Sequence, residues 1–503
     1  MNNKTFLKRT EARKLKNFSE LGALNISWAA SLVIALVLLY NNFDKSVMGF
    51  YIDKMSFPLG LAYLAAAALS LALALASRAG IKAKDGIAPW VRAAAVLLVP
   101  FVLIGNVFSA IAGFMTAKKT KPIEYHLAYF SILNNMMVFV IGSLNLFKPE
   151  LPENFWLGQG LLALSMAFYA VALVLVSRAA DTGRYARLAP LAAILALTAA
   201  VGNVFALLLA LVVFARIRNE GGRNSIEWVE TLRRVFRNYM AILGLLVIVV
   251  LLTLSVVSAL TFDYRTATSN DYSTLMRAPS MEFPFGTDDL GRCIFTRIVF
   301  GARISLIIGM ISTAAPFVVG GLLGAAAGFY ENRLDNVIMR VMDVFFAVPG
   351  TLLTIAIIAA FGANMLNLII ALSISNVPVY ARTMRAQVMV TSNSEFVEAA
   401  RGYGRRPFEI LLKHVVPNSM APMIVRASVS IGIAVLSTSS LSYLGLGVEP
   451  KIPEWGNILK IGSKYLETNP YLAIYPGIFI IVLVLAFNFL GDGMRDALDP
   501  KLK

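Results

Sequence analysis

Few residues in this chain carry the side chains that catalysis or metal binding would need. There are two histidines, His126 and His414, and one cysteine, Cys293, in 503 residues. Neither histidine has a metal-ligand partner at useful spacing. No nucleophile–base arrangement emerges, and no G-x-x-x-x-G-K-[ST] string is present to cradle a phosphate. What remains is the chemistry of protein contact. It is densest in a polar island between long apolar runs, Glu398-Ala399-Ala400-Arg401-Gly402-Tyr403-Gly404, continued by Arg405 and Arg406 and closed by Pro417-Asn418. A carboxylate and three guanidiniums around two small residues suit charge-assisted gripping by another protein.

The elements that must position this island follow from its punctuation. Thr391 to Glu398 reads as the start of a helix that Ser392, Asn393 or Ser394 can cap. Ala399 and Ala400 give it a smooth face that a partner can approach. Gly404 can take the left-handed turn that ends it. Phe408 to Val416 reads as a second short helix with apolar Phe408, Leu411, Leu412 and Val415; His414 lies on it as a packing or docking residue. Pro417 is expected to open the next apolar helix, where its missing N–H costs nothing. The competing reading is an ordinary loop with small residues.

Composition places this loop in a membrane protein. The chain is 58% hydrophobic, 15% charged, with mean hydropathy +0.71. The expected fold class is an all-α polytopic membrane protein. The formal charge of +16 does not indicate nucleic acid, because Lys and Arg are spread over many loops, as cytoplasmic loop bias produces. A single cysteine excludes an internal disulfide. Residues 1–23 read as a basic cytoplasmic N-terminus, retained because no small-residue cleavage site precedes the first span. Its six positive charges can lie in solvent or along anionic membrane lipid.

Apolar runs fall near 24–43, 57–77, 91–115, 125–147, 155–177 and 188–215, then near 239–261, 303–329, 345–362, 365–385, 419–444 and 471–490. About 12 transmembrane helices are expected. Residues 24–216 form a six-helix extension, 217–238 a basic connector, and 239–503 a second membrane domain carrying the loop 391–417. The extension contains a repeat. Ser77-Arg78-Ala79 precedes Gly105-Asn106-Val107-Phe108, and Ser177-Arg178-Ala179 precedes Gly202-Asn203-Val204-Phe205. Two copies of a three-span unit would lie in opposite orientations. That count leaves Lys118, Lys119, Lys121, Arg178, Arg184 and Arg187 on the outer side, against the charge rule. Either one helix is miscounted or these loops contact something specific.

Further strings follow in order through the second half. They are Phe285-Gly286-Thr287-Asp288-Asp289-Leu290-Gly291-Arg292, Gly301-Ala302-Arg303-Ile304-Ser305-Leu306, Leu444-Gly445-Leu446-Gly447, Pro453-Glu454-Trp455-Gly456-Asn457 and the terminal Gly491-Asp492-Gly493-Met494-Arg495-Asp496. With the polar island, they resemble the C-type permease of the dipeptide/oligopeptide/nickel ABC importers over about residues 230–503. The first 220 residues have no counterpart in the usual family member. The resemblance implies a bacterial-type plasma-membrane protein with both termini cytoplasmic. It implies an ATPase docked on Glu398, Ala399, Ala400, Arg401, Gly404, Arg405, Arg406, His414 and Pro417. The implied partners are a homologous second permease, two ATPase subunits or domains and an extracytoplasmic substrate-binding protein. ATP and Mg would sit on the ATPases, and the chain itself would bind no cofactor or metal and catalyse nothing.

Asp288, Asp289 and Arg292 are expected to fix the outer loop through ion pairs and capping, with direct substrate contact as the alternative. Trp455 and Tyr465 suit the interface belt. Three positions depart from the family pattern: Cys293 stands where an aspartate is usual, Thr438 where an acid is common, and Arg426 where no charge is usual. Arg426 either snorkels to the surface or faces the pathway. Ser437, Thr438, Ser439 and Ser442 either line a hydrated path or are small residues that let helices pack. Peptide is the expected cargo, and nickel or another small solute the alternative. A membrane sensor or scaffold is a rival from another class, against which the intact docking loop argues. A secondary transporter built on the repeat would need ionisable residues inside the first six spans, where Asn106, Asn134, Asn135 and Asn203 offer little.

Overall fold

The structure is a computed structural model; it describes residues 19–40, 43–44, 49–50, 56–83, 86–119, 121–148, 150–219, 227–330 and 332–499. The expected basic terminus (residues 1–18) and the middle of the connector (220–226) lie outside the described residues. Among the described residues the architecture is helical, apart from a two-residue pairing of Phe43–Asp44 with Gly49–Phe50 and an isolated bridge between Thr287 and Cys293. The chain forms two compact units. One comprises residues 1–143 and 159–222, the other 144–158 and 223–503.

The first unit is built from two copies of one motif. The first copy has α1 (Ser19–Tyr40), α2 (Ser56–Lys82), α3 (Pro89–Ile104) and α4 (Val107–Ala117). The second has α5 (Ile123–Ser143), α6 (Phe155–Thr182), α7 (Ala186–Val201) and α8 (Val204–Arg218). The apolar runs 91–115 and 188–215 are therefore not single spans. Each breaks at its Gly-Asn pair. Gly105 and Gly202 adopt φ of 84° and 94°, which ends a right-handed helix. Asn106 and Asn203 then cap a new helix, accepting from Ser109 N and Ala206 N at 3.1 and 3.3 Å. The chain folds back on itself: Arg92 Nη1 donates to Thr116 O at 3.1 Å, and a Cβ on Gly113 would lie 2.8 Å from Ala95 O. In the second copy α8 packs back along α7 in the same way.

Each copy is thus two spans plus a hairpin that returns to the end it entered from. The copies point the same way, and the expected inversion is corrected. The hairpin tips are held by buried polar contacts rather than by apolar packing alone. Asn106 Nδ2 donates to Ser31 Oγ at 2.8 Å, and Asn203 Nδ2 to Asn135 Oδ1 at 2.9 Å. The open ends carry matching ion pairs. Glu20, second residue of α1, meets Lys121 at 2.6 Å; Glu124, second residue of α5, meets Arg216 at 2.9 Å. Lys118 reaches Ser177 O and Asp181 at 3.1 Å. The basic residues that the three-span count scattered to both sides gather at one end of the unit.

The second unit contains the connector helix α9 (Glu227–Val235), then α10 (Tyr239–Thr261), α11 (Ile294–Tyr330), α12 (Asn332–Ala347), α13 (Gly350–Phe361), α14 (Met365–Ser392), α15 (Glu395–Gly402), α16 (Pro407–Leu444), α17 (Trp455–Ser463) and α18 (Tyr471–Leu498). Among the described residues of both units, nine helices are long and apolar enough to cross a membrane. The pair α12–α13, bent by 82° at a break before Gly350, makes a tenth. With the two hairpins, ten spans account for the twelve apolar runs. One core joins Leu251, Ile298, Leu306, Val435, Leu483 and Phe487 from α10, α11, α16 and α18. The loop 144–158 of the extension is part of this unit: Asn145 Nδ2 donates to Thr261 O, and Lys148 Nζ to Thr296 Oγ1, both at 2.8 Å.

Candidate functional site

The polar island forms a helix–turn–helix, though its boundaries differ from expectation. Thr391 and Ser392 finish α14, and the short helix α15 begins at Glu395. Ser394 occupies the N-cap with its backbone extended, but its side chain makes no cap bond. Gly404, at φ 73°, supplies the left-handed turn. The second helix starts at Pro407 and runs without a break into the span. Pro417 therefore opens only the regular α-helical stretch Val416–Leu444 of that helix, as its second residue, and not a separate helix. Leu411–Val415 winds as a π-turn just before it, and that wider turn takes up the ring clash and missing N–H of an interior proline.

The two short helices have distinct faces. Val397, Ala400, Ile410, Leu411 and Val415 are buried with Tyr380, Met384 and Val388 of α14 and with Met423. Ala400 is thus packing, not docking, surface, and the pair of alanines divides between the two roles. Glu398, Ala399, Arg401, Gly404, Arg405 and Arg406 are exposed, as is Pro417; His414 is half-buried. The sequence reading missed the largest exposed groups. Tyr403 is 89% exposed and Phe408 62%. Of the apolar residues on the second helix, Leu411 and Val415 take the inner face with Ile410, while Phe408 and Leu412 are exposed. An aromatic between glycines, beside paired arginines, was the available signal at Tyr403. The arginines are partly organised: Arg401 lies 5.8 Å from the Phe329 ring centre and Arg405 3.9 Å from Glu409. An exposed aromatic-and-arginine surface braced from behind is the composition that protein interfaces concentrate at their anchors.

At the other end of the spans, Asp288 accepts from Leu290 N at 3.0 Å, Arg292 N at 2.9 Å and Arg292 Nε at 2.8 Å. Asp289 stands 4.0 Å from Arg292 and accepts from Tyr465 OH at 3.5 Å. Arg297, which the sequence reading passed over, is fully buried beneath them; it donates to Ala267 O at 3.0 Å and lies 3.8 Å from Asp288. Cys293 is buried, with its backbone N–H on Thr266 O. This geometry ties the loop down and leaves Asp288 and Arg292 closed to solvent.

Of the five pathway candidates, three lie inside the unit. Thr438, Ser439 and Ser442 are buried in the unit. Ser439 donates to Glu454 at 2.9 Å, and Ser442 Oγ accepts from Val448 N at 3.2 Å. Ser439 and Ser442 hold α17 and its loop against α16, which is the packing alternative for these hydroxyls. Ser437 is half-buried and Arg426 exposed. Trp455 is not an interface aromatic either: it is fully buried and donates to Ile298 O at 2.9 Å. Glu454 caps α17, accepting from Gly456 N at 2.8 Å and Asn457 N at 3.2 Å. Burial pushes its carboxyl above the usual range, against the backbone donors and Ser439 and Ser442, which favour the charged form.

Comparison with known proteins agrees with this geometry. Residues 320–503 match the family of binding-protein-dependent transport system inner membrane components. A dipeptide transport system permease of Alkalihalophilus pseudofirmus is 40% identical over 276 residues, 55% of this chain and 90% of its own. Glutathione transport system permeases of Pectobacterium atrosepticum and Escherichia coli are 40% and 41% identical over the same length, covering 92% and 91% of theirs. The inward-facing MetNI methionine ABC transporter aligns over 40% of this chain and 97% of its own at 19% identity and TM-score 0.34, too slight a likeness to argue from. Nearly whole relatives matched at this identity leave one conclusion: the chain belongs to the binding-protein-dependent transport system inner membrane components, the permease subunits of ABC importers whose ATPase is a separate subunit.

Proposed function

We propose that this chain forms half of the translocation path of an ATP-driven peptide importer, beside a homologous second permease. Two ATPase subunits carrying ATP and Mg dock from the cytoplasm, and an extracytoplasmic binding protein delivers the cargo. The observation that carries the docking reading is the exposed surface of Glu398, Ala399, Arg401, Tyr403, Arg405, Arg406 and Phe408, braced by a buried rear face. ATPase closure would pull this helix–turn–helix and switch the spans between two states, as alternating access requires. Peptide cargo is supported by the dipeptide and glutathione permease relatives.

The same proposal assigns sidedness. With two spans and a hairpin per copy, the basic ends at Arg92, Lys118, Lys121, Arg184, Arg187 and Arg216 all fall on the cytoplasmic side, together with the docking loop. The extension is read as an accessory module outside the path, because the second unit already supplies the spans of the family core.

Docking is tested with Glu398→Lys and Gly404→Val in the assembled importer. Loss of a charge-assisted contact removes about 1.5–3 kcal/mol, and a β-branched residue in a left-handed turn is strained by about 1–3 kcal/mol. Both variants should insert normally and lose ATPase association or transport. Wild-type transport by both would show that the ATPase docks elsewhere.

A further inference from the structure

Residues 150–154 and the adjoining ends of α10 and α11 line an open cavity of about 740 Å³. Its charged lining is Glu150, Glu153, Asp263, Arg265 and Arg303. Its apolar flank is formed by Leu260, Phe300 and Ile304, residues of the two spans themselves. Among the described residues, no carboxylate–guanidinium pair closes across it; Glu150, Glu153, Arg265 and Arg303 have no ion-pair partner within 4 Å. Charges of both signs held apart around one cavity suit a ligand that brings both an anion and a cation.

We propose that this cavity holds the headgroup of an aminophospholipid from the surrounding bilayer. The phosphate would sit between the guanidiniums of Arg265 and Arg303, which match its oxygens in pairs. The ammonium would face Glu150 and Glu153. The acyl chains would leave along Leu260, Phe300 and Ile304. Depth supports a membrane source, since the cavity straddles the last turn of one span and the first turns of the next. Exposed aromatics mark the same level: Trp156 is 68% exposed and Tyr264 48%. The walls are also fixed in place. Asn145 and Lys148 anchor one side of the loop through a buried bond to Thr261 and a half-buried one to Thr296. A free dipeptide carries the same two charges but has no use for the apolar flank.

The test is native mass spectrometry of the purified full chain, delipidated and then supplied with equal phosphatidylethanolamine and phosphatidylglycerol. The wild type should retain phosphatidylethanolamine preferentially. Glu153→Gln should bring its retention down to that of phosphatidylglycerol. Arg303→Gln should weaken retention of both by about tenfold or more, the scale of one charged hydrogen bond. If Arg303→Gln fails to fold, Glu153→Gln on the exposed loop decides alone. Equal retention of the two lipids by the wild type, or an unchanged preference in Glu153→Gln, would overturn the proposal. Displacement of bound phosphatidylethanolamine by free dialanine would overturn it in favour of a peptide site.

Discussion

Two neighbouring alanines show how finely the docking surface is divided. Ala399 is exposed and Ala400 is buried against α14 and α16. Their substitutions should therefore separate coupling from folding. Ala399→Arg should leave the amount of folded chain unchanged and lower ATPase association in a pull-down. Ala400→Arg buries an unpaired charge, at a cost of about 3 kcal/mol or more, and should reduce folded chain in fluorescence-detected size exclusion before docking is measured. Equal behaviour of the two variants would mean that the rear face is not the packed one.

Glu454 allows a second test at the residue scale. Its carboxyl is buried, accepts the first N–H groups of α17 and is held above the usual range by desolvation. Because the folded state binds this proton more tightly than the unfolded state, its contribution is complete at acid pH, below the ordinary glutamate range. It is lost as pH rises through the raised value. Glu454→Gln keeps an acceptor for the cap and removes the titration. Thermal unfolding of the detergent-purified variant should lose part of the wild type's fall in stability with rising pH. Glu454→Ala should be less stable at every pH, by about 1 kcal/mol for the lost cap. Parallel wild-type and Glu454→Gln curves would show that Glu454 does not titrate over this range.

At the scale of elements, the hairpins explain both what was legible in the sequence and what was not. The twelve apolar runs and the helix ends at Asn238, Gly404 and Gly445 could be read, because apolar length, caps and left-handed turns are local signals. Hairpin and span were indistinguishable in the runs 91–115 and 188–215, since both are apolar and of spanning length. The strings Gly105-Asn106 and Gly202-Asn203 held the answer in plain view; their repetition was noticed, but a stop-and-cap signal inside an apolar run was not interpreted as a reversal. The misplaced lysines were the second clue. Burial within the docking loop was out of reach for a different reason. Which of Ala399 and Ala400 faces inward depends on packing against Tyr380, Met384 and Val388 of α14 and Met423 of α16, none of them close in sequence. The roles of Thr438, Ser439 and Ser442 stayed open between path and packing because hydroxyls on a span look alike whether they line water or bond a neighbouring loop.

The hairpin arrangement predicts a labelling pattern. With Cys293 buried, single cysteines introduced at Lys119 and Arg184, both exposed, can be probed with a membrane-impermeant maleimide. Both should be labelled from the same side as a cysteine at exposed Arg405, and neither from the opposite side. A cysteine at Glu153 should label from the opposite side only. Labelling of Lys119→Cys and Arg184→Cys from the side opposite Arg405→Cys would restore the three-span count and invert the copies.

At the scale of the whole chain, the extension is tied to the second unit by more than its connector. Residues 144–158 belong to the second unit, where buried Asn145 donates to Thr261 O and half-buried Lys148 donates to Thr296 Oγ1 and lies over the Phe262 ring. A chain starting near residue 224 retains Arg233, Arg234 and Arg237, which should hold its new N-terminus inside. It loses this loop, however, and uncovers polar groups at the joint of α10 and α11. The truncated chain should therefore insert and support transport with the other subunits present, while its thermal midpoint falls. The full chain carrying Asn145→Ala with Lys148→Met should reproduce most of that fall, since it removes the same two hydrogen bonds, worth about 1.5–3 kcal/mol where the donor is charged and about 1 kcal/mol where it is not. If the double variant is as stable as wild type while the truncated chain is not, the stabilising contacts lie elsewhere in the extension. If the truncated chain reaches normal membrane levels and assembles but does not transport, the extension belongs to the transport pathway itself, and the accessory reading fails.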